Sequence, residues 1–371
     1  MTKVCCLNNI SSKGTDLLGA EYVLTDELAE ADAVLVRSAS MHEAELPESL
    51  LAIARAGAGV NNIPLEKCAD RGIVVFNAPG ANANAVKELV LAGMLLASRD
   101  IIGGVEWGRA NRENPDVSKA AEKEKKKFAG CEIAGKTLGI IGLGAIGYKL
   151  AKAAEALGMQ VLGYDPYLDL QDVKMTKNLD DIFAVSDYIT LHVPLLPDTR
   201  EMIDAAAIAK MKDGVVILNY ARDLLVQEAD LAEALKSGKV KRYLCDFANP
   251  NTLAMENCIV TPHLGASTEE SEENCAIMAV EEIRNYVENG NIINSVTFPR
   301  VDKGVPARAV RLGVFYKDTD ALEGLKALLG DDVQGGMRGV YGYAVADLDE
   351  TADLDAVKSI PGVYRVRVVR G

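Results

Sequence analysis

Positive charge is in short supply: 40 Lys and Arg stand against 54 Asp and Glu, leaving a formal −14 at pH 7. A surface of that sign repels polyanions, so neither a nucleic-acid partner nor an anionic membrane is expected. No apolar run reaches the ~18 residues that a membrane span needs. The opening MTKVCCLNNI lacks the apolar core of a secretory signal. Together these absences predict a soluble, cytoplasmic chain. The seven cysteines, at 5, 6, 68, 131, 245, 258 and 275, include no Cys-x-x-Cys pair, and only three histidines accompany them. Neither a disulfide framework nor a metal site is indicated, and the thiols are expected to be reduced packing residues. With 49% hydrophobic and 25% charged residues the composition excludes disorder, and 371 residues leave room for two or three domains.

Short apolar runs alternate with helical segments over residues 1–100 (ADAVLVRS, LLAIARAG, GIVVFNAP) and again over 136–264 (KTLGIIG, MQVLGYD, SDYITLHVP, GVVILNY, RYLCDFA, NCIVTPH). That rhythm predicts βα units and parallel sheets, hence an α/β fold. Between the two stretches lies a charged arm, GRANRENPDVSKAAEKEKKKFAGCEIAG. In it Lys123, Lys125, Lys126 and Lys127 interleave with Glu122 and Glu124 as a solvated face. After a helical pattern at 268–289 comes a proline-containing linker, VTFPRVDKGVPAR. The last ~65 residues then read strand, helix, two strands, helix, strand, the order of a small ferredoxin-like α+β module.

The strongest motif is GIIGLGAIGYKLAKAAEALGMQVLGYDPY. An apolar strand ends at Ile141, and Gly142-x-Gly144-x-x-Gly147 opens a helix. Such a turn needs Gly142 for its sharpness, Gly144 for close approach of a pyrophosphate, and Gly147 for packing of helix on strand. The helix start at Ala145 and Ile146 offers free N–H groups and a positive dipole end. Asp165 closes the second strand, placed to accept hydrogen bonds from a ribose and to repel the extra phosphate of NADP. No Arg or Lys occurs in the eight residues after Asp165. The expectation is a Rossmann-type domain that binds NAD.

Two later strands end in residues fit for redox chemistry on an alcohol: Arg222 after GVVILNY and His263 after CIVTP. Open α/β sheets bind ligands beyond the carboxyl ends of their strands. Imidazole titrates near neutrality and can exchange a hydroxyl proton. Guanidinium grips a carboxylate with its rigid fork.

GLGAIG, NYARDLLV, TPHLGASTEESEENCA and ENGNIINSVTFP resemble the D-isomer-specific 2-hydroxyacid dehydrogenases. The N-terminal marks Arg37-Ser38, RAGAGVNNI from Arg55 and NAPGANANAVKEL from Asn77 agree. The resemblance covers nearly the whole chain. It implies a flavodoxin-like, discontinuous substrate domain (1–98 and 275–300), an NAD domain (99–274) and, at 305–371, a module similar to the ACT regulatory domain. It also implies dimerisation through the arm at 106–135, in a homodimer or homotetramer. The activity it implies is oxidation of 3-phospho-D-glycerate at C2 to 3-phosphooxypyruvate with NAD, the first step of serine synthesis. His263 would be the acid/base, and Arg222 would hold the carboxylate and C2 oxygen. Cofactor contacts carry over to Ala78, Ala145, Ile146, Asp165, His192, Val193, Pro194, Thr199, Ala221, Asp246 and Gly265. The phosphate falls to Arg37, Ser38, Arg55 and the turn Ala56–Gly57, whose backbone N–H groups suit an anion.

Two departures stand out. Members of the family carry a glutamate that pairs with the catalytic histidine. Here the stretch is DFANPNTLAMEN, which leaves Asn249 as the candidate orienter of His263 and Glu256 as a surface acid. Serine-responsive members carry His-x-Asn-x-Pro-Gly after the module's first strand, where this chain has Tyr316-Lys317-Asp318-Thr319-Asp320-Ala321, so weak or absent serine inhibition is expected. A glyoxylate or hydroxypyruvate reductase, or an NAD-sensing binding protein of weak turnover, are the alternative readings.

Overall fold

The apolar runs become strands, and the connections between them are mostly helical. The structure, a computed structural model, describes residues 1–350 and 353–370. The chain divides into two units, Ala83–Ser267 and the discontinuous pair Met1–Asn82 with Thr268–Gly371.

In the discontinuous unit, β1 (Thr2–Cys6), β2 (Tyr22–Thr25), β3 (Ala33–Val36), β4 (Ala52–Arg55) and β5 (Val74–Phe76) form a sheet in the order β2-β1-β3-β4-β5. Every pairing is parallel. This is the flavodoxin strand order. All four residues of β3 are buried, as a central strand covered on both faces requires. The returning helix Glu269–Asn289 starts at a Thr268 cap and ends at left-handed Gly290. Its Cys275, Ala279, Val280 and Ile283 share a core with Ala33, Leu35, Ala54 and Phe76.

The second unit holds β6 (Thr137–Ile141), β7 (Gln160–Tyr164), β8 (Met175–Thr176), β9 (Tyr188–Leu191), β10 (Val215–Asn219), β11 (Val240–Cys245) and β12 (Cys258–Val260). They form one parallel sheet in the order β12-β11-β10-β9-β6-β7-β8. Chain order reverses between β6 and β9, and such a switch point opens a crevice at the carboxyl ends of the strands. The charged arm leaves the end of helix Ile101–Ala110 and forms the short helix Val117–Glu124, and neither helix has a buried residue. Lys125 and Lys127 pair with Glu122 and Glu124 at 2.5 and 2.9 Å, the solvated face expected of this run.

The C-terminal residues form β13 (Val310–Tyr316), β14 (Gln334–Arg338), β15 (Tyr341–Leu348) and β16 (Val363–Arg370), an antiparallel sheet in the order β14-β15-β13-β16. With the helices Ala321–Leu329 and Leu354–Lys358 the element order is βαββαβ. Period-two alternation sorts its faces. Leu312, Val314, Tyr316, Ala344 and Ala346 pack under the two helices. Phe315, Tyr343 and Val345 face the other way, into the core of Phe76, Tyr286 and Phe298. Arg365 of β16 donates to the carbonyls of Leu50, Arg71 and Gly72, and Arg367 to those of Tyr286 and Val287. Arg311, fully buried, meets Asp347 at 2.6 and 2.9 Å and holds that carboxyl at about 2.

Candidate active site

The glycine turn after β6 has the geometry that its spacing predicts. Gly142 sits at φ +94°, and a Cβ there would stand 2.6 Å from the His192 carbonyl oxygen. Only glycine lets these two strand ends come so close. A Cβ on Gly147 would run into the Gly142 carbonyl, so this residue sets the contact between helix Ala145–Ala156 and the turn. Around Gly144 there is open space on the Cβ side. The N–H groups of a helix's first turn have no intrahelical acceptor, and here they begin at Ala145 and Ile146. The cradle therefore fits a pyrophosphate. Gly147→Ala is expected to cost about 1–3 kcal/mol through overpacking and to weaken NAD binding. Thermal unfolding and a cofactor titration check both.

Asp165 is more committed than its place in the motif implies. It is buried, and its carboxylate accepts N–H bonds from Leu143 (2.8 Å), Tyr167 (2.9 Å) and Leu168 (3.0 Å). A carboxylate has about four acceptor sites, so only one remains for a ribose hydroxyl. Its first task is to tie the glycine turn to the end of β7.

After β9 come His192, Val193 and Pro194. The His192 Nε2 lies 3.0 Å from Thr190 Oγ1, while its Nδ1 is buried with no partner. Burial holds its pKa down at about 3, so this imidazole is neutral at every physiological pH. Thr199 closes the loop, donating to the Pro194 carbonyl (2.7 Å) and accepting from the Leu196 N–H (2.8 Å).

The next three strands in line are neighbours, and each ends in a polar residue. Beyond β10, Arg222 is exposed, and its Nη1 donates to the Ala221 carbonyl at 2.6 Å. Its turn is held by Asn219, a fully buried residue that the motif reading passed over. Asn219 Nδ2 donates to the Arg222 carbonyl (2.7 Å) and to Tyr243 Oη (3.2 Å), and its Oδ1 accepts the Ala221 N–H (3.2 Å). A lone amide closing an apolar strand was the available signal. Beyond β11, buried Asp246 accepts from Thr261 Oγ1 (2.5 Å) and the N–H groups of Leu264 (2.7 Å) and Gly265 (2.6 Å). Its backbone carbonyl takes the His263 N–H at 3.1 Å. So Asp246 shapes the turn that presents His263 beyond β12. His263 is exposed and held at φ +60°, a conformation that non-glycine residues adopt only when their surroundings impose it. Its ring meets the edge of Phe247, centroids 5.5 Å apart. Arg222 and His263 thus leave strands separated by one intervening strand, roughly 10 Å at the usual spacing.

Asn249 does not orient the imidazole. It caps the helix Pro250–Ala254, its Oδ1 accepting the N–H groups of Asn251 and Thr252 at 2.9 Å each. Its Nδ2 donates to Glu228 at 2.6 Å, and Asn251 reaches the same carboxylate at 2.7 Å. An Asn directly before Pro is itself a helix-start signal, and that signal outweighs the spacing argument. Asn249→Ala is expected to lose about 1 kcal/mol of stability and to leave the pH profile of turnover unchanged.

The residues read as a phosphate site lie in the discontinuous unit and do meet there. Val36 and Arg55 are register partners, so Arg37 and Arg55 leave adjacent strands. Arg55 Nε donates to the Arg37 carbonyl at 3.1 Å, and its guanidinium folds over Gly57. Ala56 is buried, and Ala78 donates its N–H to the Gly57 carbonyl at 2.9 Å. Asn8, unnoticed in the sequence, accepts the N–H groups of Arg37, Ser38 and Ala39 at 2.8, 3.0 and 3.1 Å. Those three donors are spent, and the Ala56–Gly57 turn does not offer its own as expected: the Ala56 N–H goes to the Val36 carbonyl and the Gly57 N–H to the Arg55 carbonyl, 2.8 Å each, because the turn closes on its own strand ends.

Among the described residues no cluster suited to a metal ion is found, and no helix is long and apolar enough to cross a membrane. All seven cysteines are free.

Residues 91–265 match the family model described as D-isomer specific 2-hydroxyacid dehydrogenase, NAD binding domain. A hydroxypyruvate reductase of Thermotoga maritima is 42% identical over 282 residues, 71% of this chain and 89% of that protein. The chain belongs to the D-isomer-specific 2-hydroxyacid dehydrogenase family. Within that family, a D-3-phosphoglycerate dehydrogenase of Methanocaldococcus jannaschii is 38% identical over 296 residues, 75% of this chain. The chain spans about half the length, 54%, of that relative. Among solved structures of the family, a cofactor (NAD+)-bound 3-phosphoglycerate dehydrogenase of Entamoeba histolytica superposes with a TM-score of 0.65. It is 28% identical and aligns over 80% of this chain and 98% of its own.

Proposed function

We propose that this protein is an NAD-dependent D-3-phosphoglycerate dehydrogenase, oxidising 3-phospho-D-glycerate at C2 to 3-phosphooxypyruvate. The observation that carries the reading is the row of three adjacent strand ends bearing Arg222, Asp246 and His263, in the same sheet as the glycine cradle. NAD, when bound along Gly142–Gly147, would supply the hydride acceptor. His263 takes the C2 hydroxyl proton at its ring, oriented by the Asp246-built turn and the Phe247 edge rather than by a carboxylate. Arg222 grips the carboxylate and C2 oxygen with the part of its fork not given to Ala221. Arg37 and Arg55 hold the phosphate, which an acidic protein must bind through local cations. The functional division that follows is 1–98 with 275–300 for the substrate, 99–274 for NAD, and 305–371 for assembly or regulation. We assign the arm at 106–135 to a homodimer or homotetramer, and the chain to the cytoplasm. An ACT-like module with Asp318 capping its first turn (Oδ1 to the Asp320 N–H, 3.0 Å) presents a carboxylate to an incoming amino acid, consistent with weak serine control.

The likeness to a hydroxypyruvate reductase favours a second reading, in which the substrate lacks the phosphate. NADH formation with 3-phosphoglycerate, set against NADH consumption with hydroxypyruvate, decides between them. A kcat/KM higher for hydroxypyruvate, with no turnover of phosphoglycerate, removes the first reading.

A further inference from the structure

The Arg37 guanidinium already has an anion. Its Nη2 lies 2.8 Å from Glu272 Oε1, with both side chains partly open to solvent. Glu272 stands in the first turn of helix Glu269–Asn289, one turn before Cys275 and Ala276. Burial pushes the Cys275 thiol up; Arg55, Ser271 and Arg37 pull it back down, and Glu272 acts against them. A small cavity is lined by Asn9, Ile10, Ser11, Arg37, Ala56, Glu272 and Ala276, so Glu272 and Arg37 share its wall. The backbone donors beside it belong to Asn8, as described above, and cannot compensate an anion that fails to displace Glu272.

We infer that Glu272 is a specificity-determining residue of this site: its carboxylate holds Arg37 as a built-in competitor that a substrate phosphate must displace. This rests on the phosphoglycerate reading and deepens it. A phosphate near pH 7 carries close to two negative charges and three acceptor oxygens, whereas the Glu272 carboxylate carries one charge and two oxygens. The exchange therefore favours phosphate over a second carboxylate. A ligand with a monoanionic tail gains nothing by replacing one carboxylate with another. The pair is partly exposed, and exposed ion pairs are weak, so the competitor lowers phosphate affinity without abolishing it.

The test is Glu272→Gln, which keeps the shape and removes the charge, with Glu272→Ala as a second variant and thermal melting as the check on folding. KM for 3-phosphoglycerate is expected to fall roughly two- to fivefold in both variants, with kcat unchanged within experimental scatter. KM for hydroxypyruvate, which carries no phosphate, is expected to stay within about twofold. The gain should shrink between 0.1 and 1 M salt, where the screening length drops from about 10 Å to about 3 Å. Calorimetric titration with 3-phosphoglycerate and with inorganic phosphate reads the same shift without turnover. An unchanged or higher KM for phosphoglycerate overturns the inference, since Glu272 would then position Arg37 rather than compete for it. An equal fall for hydroxypyruvate overturns it too, as a general charge effect. If the parent turns over phosphoglycerate and the variants match it, only this inference fails. If the parent turns over hydroxypyruvate alone and binds no phosphoglycerate, the functional reading fails first and takes the inference with it.

Discussion

His263→Asn is expected to lower kcat by about 10²- to 10⁴-fold, the usual contribution of a positioned acid or base, while NAD binding followed by fluorescence stays near the parental value. The size of the loss follows from the scarcity of imidazoles. Of the other two histidines, His192 is held neutral down to about pH 3 by burial, so it cannot take up a proton near neutrality. His42 lies in the discontinuous unit with its Nε2 at 2.9 Å from the Asn61 carbonyl. Neither can take over. Asparagine keeps a polar side chain of moderate size and tolerates the φ of +60° that His263 adopts, so the turn survives and the chemistry alone is removed. A variant retaining a tenth of parental kcat would displace His263 from the mechanism.

Arg222→Lys is expected to lower kcat/KM by about 30-fold or more, since truncating one side of a hydrogen-bonded charge pair that the substrate buries costs about 2–5 kcal/mol. One guanidinium N–H goes to the Ala221 carbonyl, which fixes the plane of the fork, and no other partner is present among the described residues. A lysine ammonium carries the charge but has no plane and cannot reach a carboxylate and the C2 oxygen in parallel. The loss should fall on KM and kcat together if the proposed carboxylate contact both binds and aligns. Steady-state kinetics with added guanidinium provides the check, since partial rescue is expected if the missing group is the fork itself. Unchanged kcat/KM in the lysine variant would move the carboxylate contact elsewhere.

The parallel strands and the glycine cradle were legible in the sequence because their demands are local and few residues meet them. Gly142 combines a φ of +94° with a Cβ position 2.6 Å from the His192 carbonyl oxygen, and Gly147 meets a contact too close for any Cβ, so a side chain is excluded at both. Arg222 and His263 were legible through their place after apolar strands. The partners that hold them were not. Asn219 beside Arg222, and Asn8 beside Arg37, act by gathering backbone groups of turns, as does Asp246 beside His263, which was expected only as a cofactor contact; which groups a turn turns inward depends on its folded path. Asp165 shows the same limit from the other side. Its place at the end of β7 was readable, but the three N–H groups that it accepts come from a turn conformation that the motif does not encode. Asn249 was misjudged because its distance from Asp246 was weighed and the proline after it was not.

The aromatic seam of Phe315 and Tyr343 against Phe76 and Tyr286 bears on how the chain comes apart. Arg365 closes carbonyls around residues 50, 71 and 72, so the last strand completes the backbone bonding of segments made some 300 residues earlier. Denaturation of the first five strands and of the C-terminal sheet must therefore be one cooperative event. A lesion near either terminus weakens both, and trimming the tail uncovers greasy rings that invite clumping.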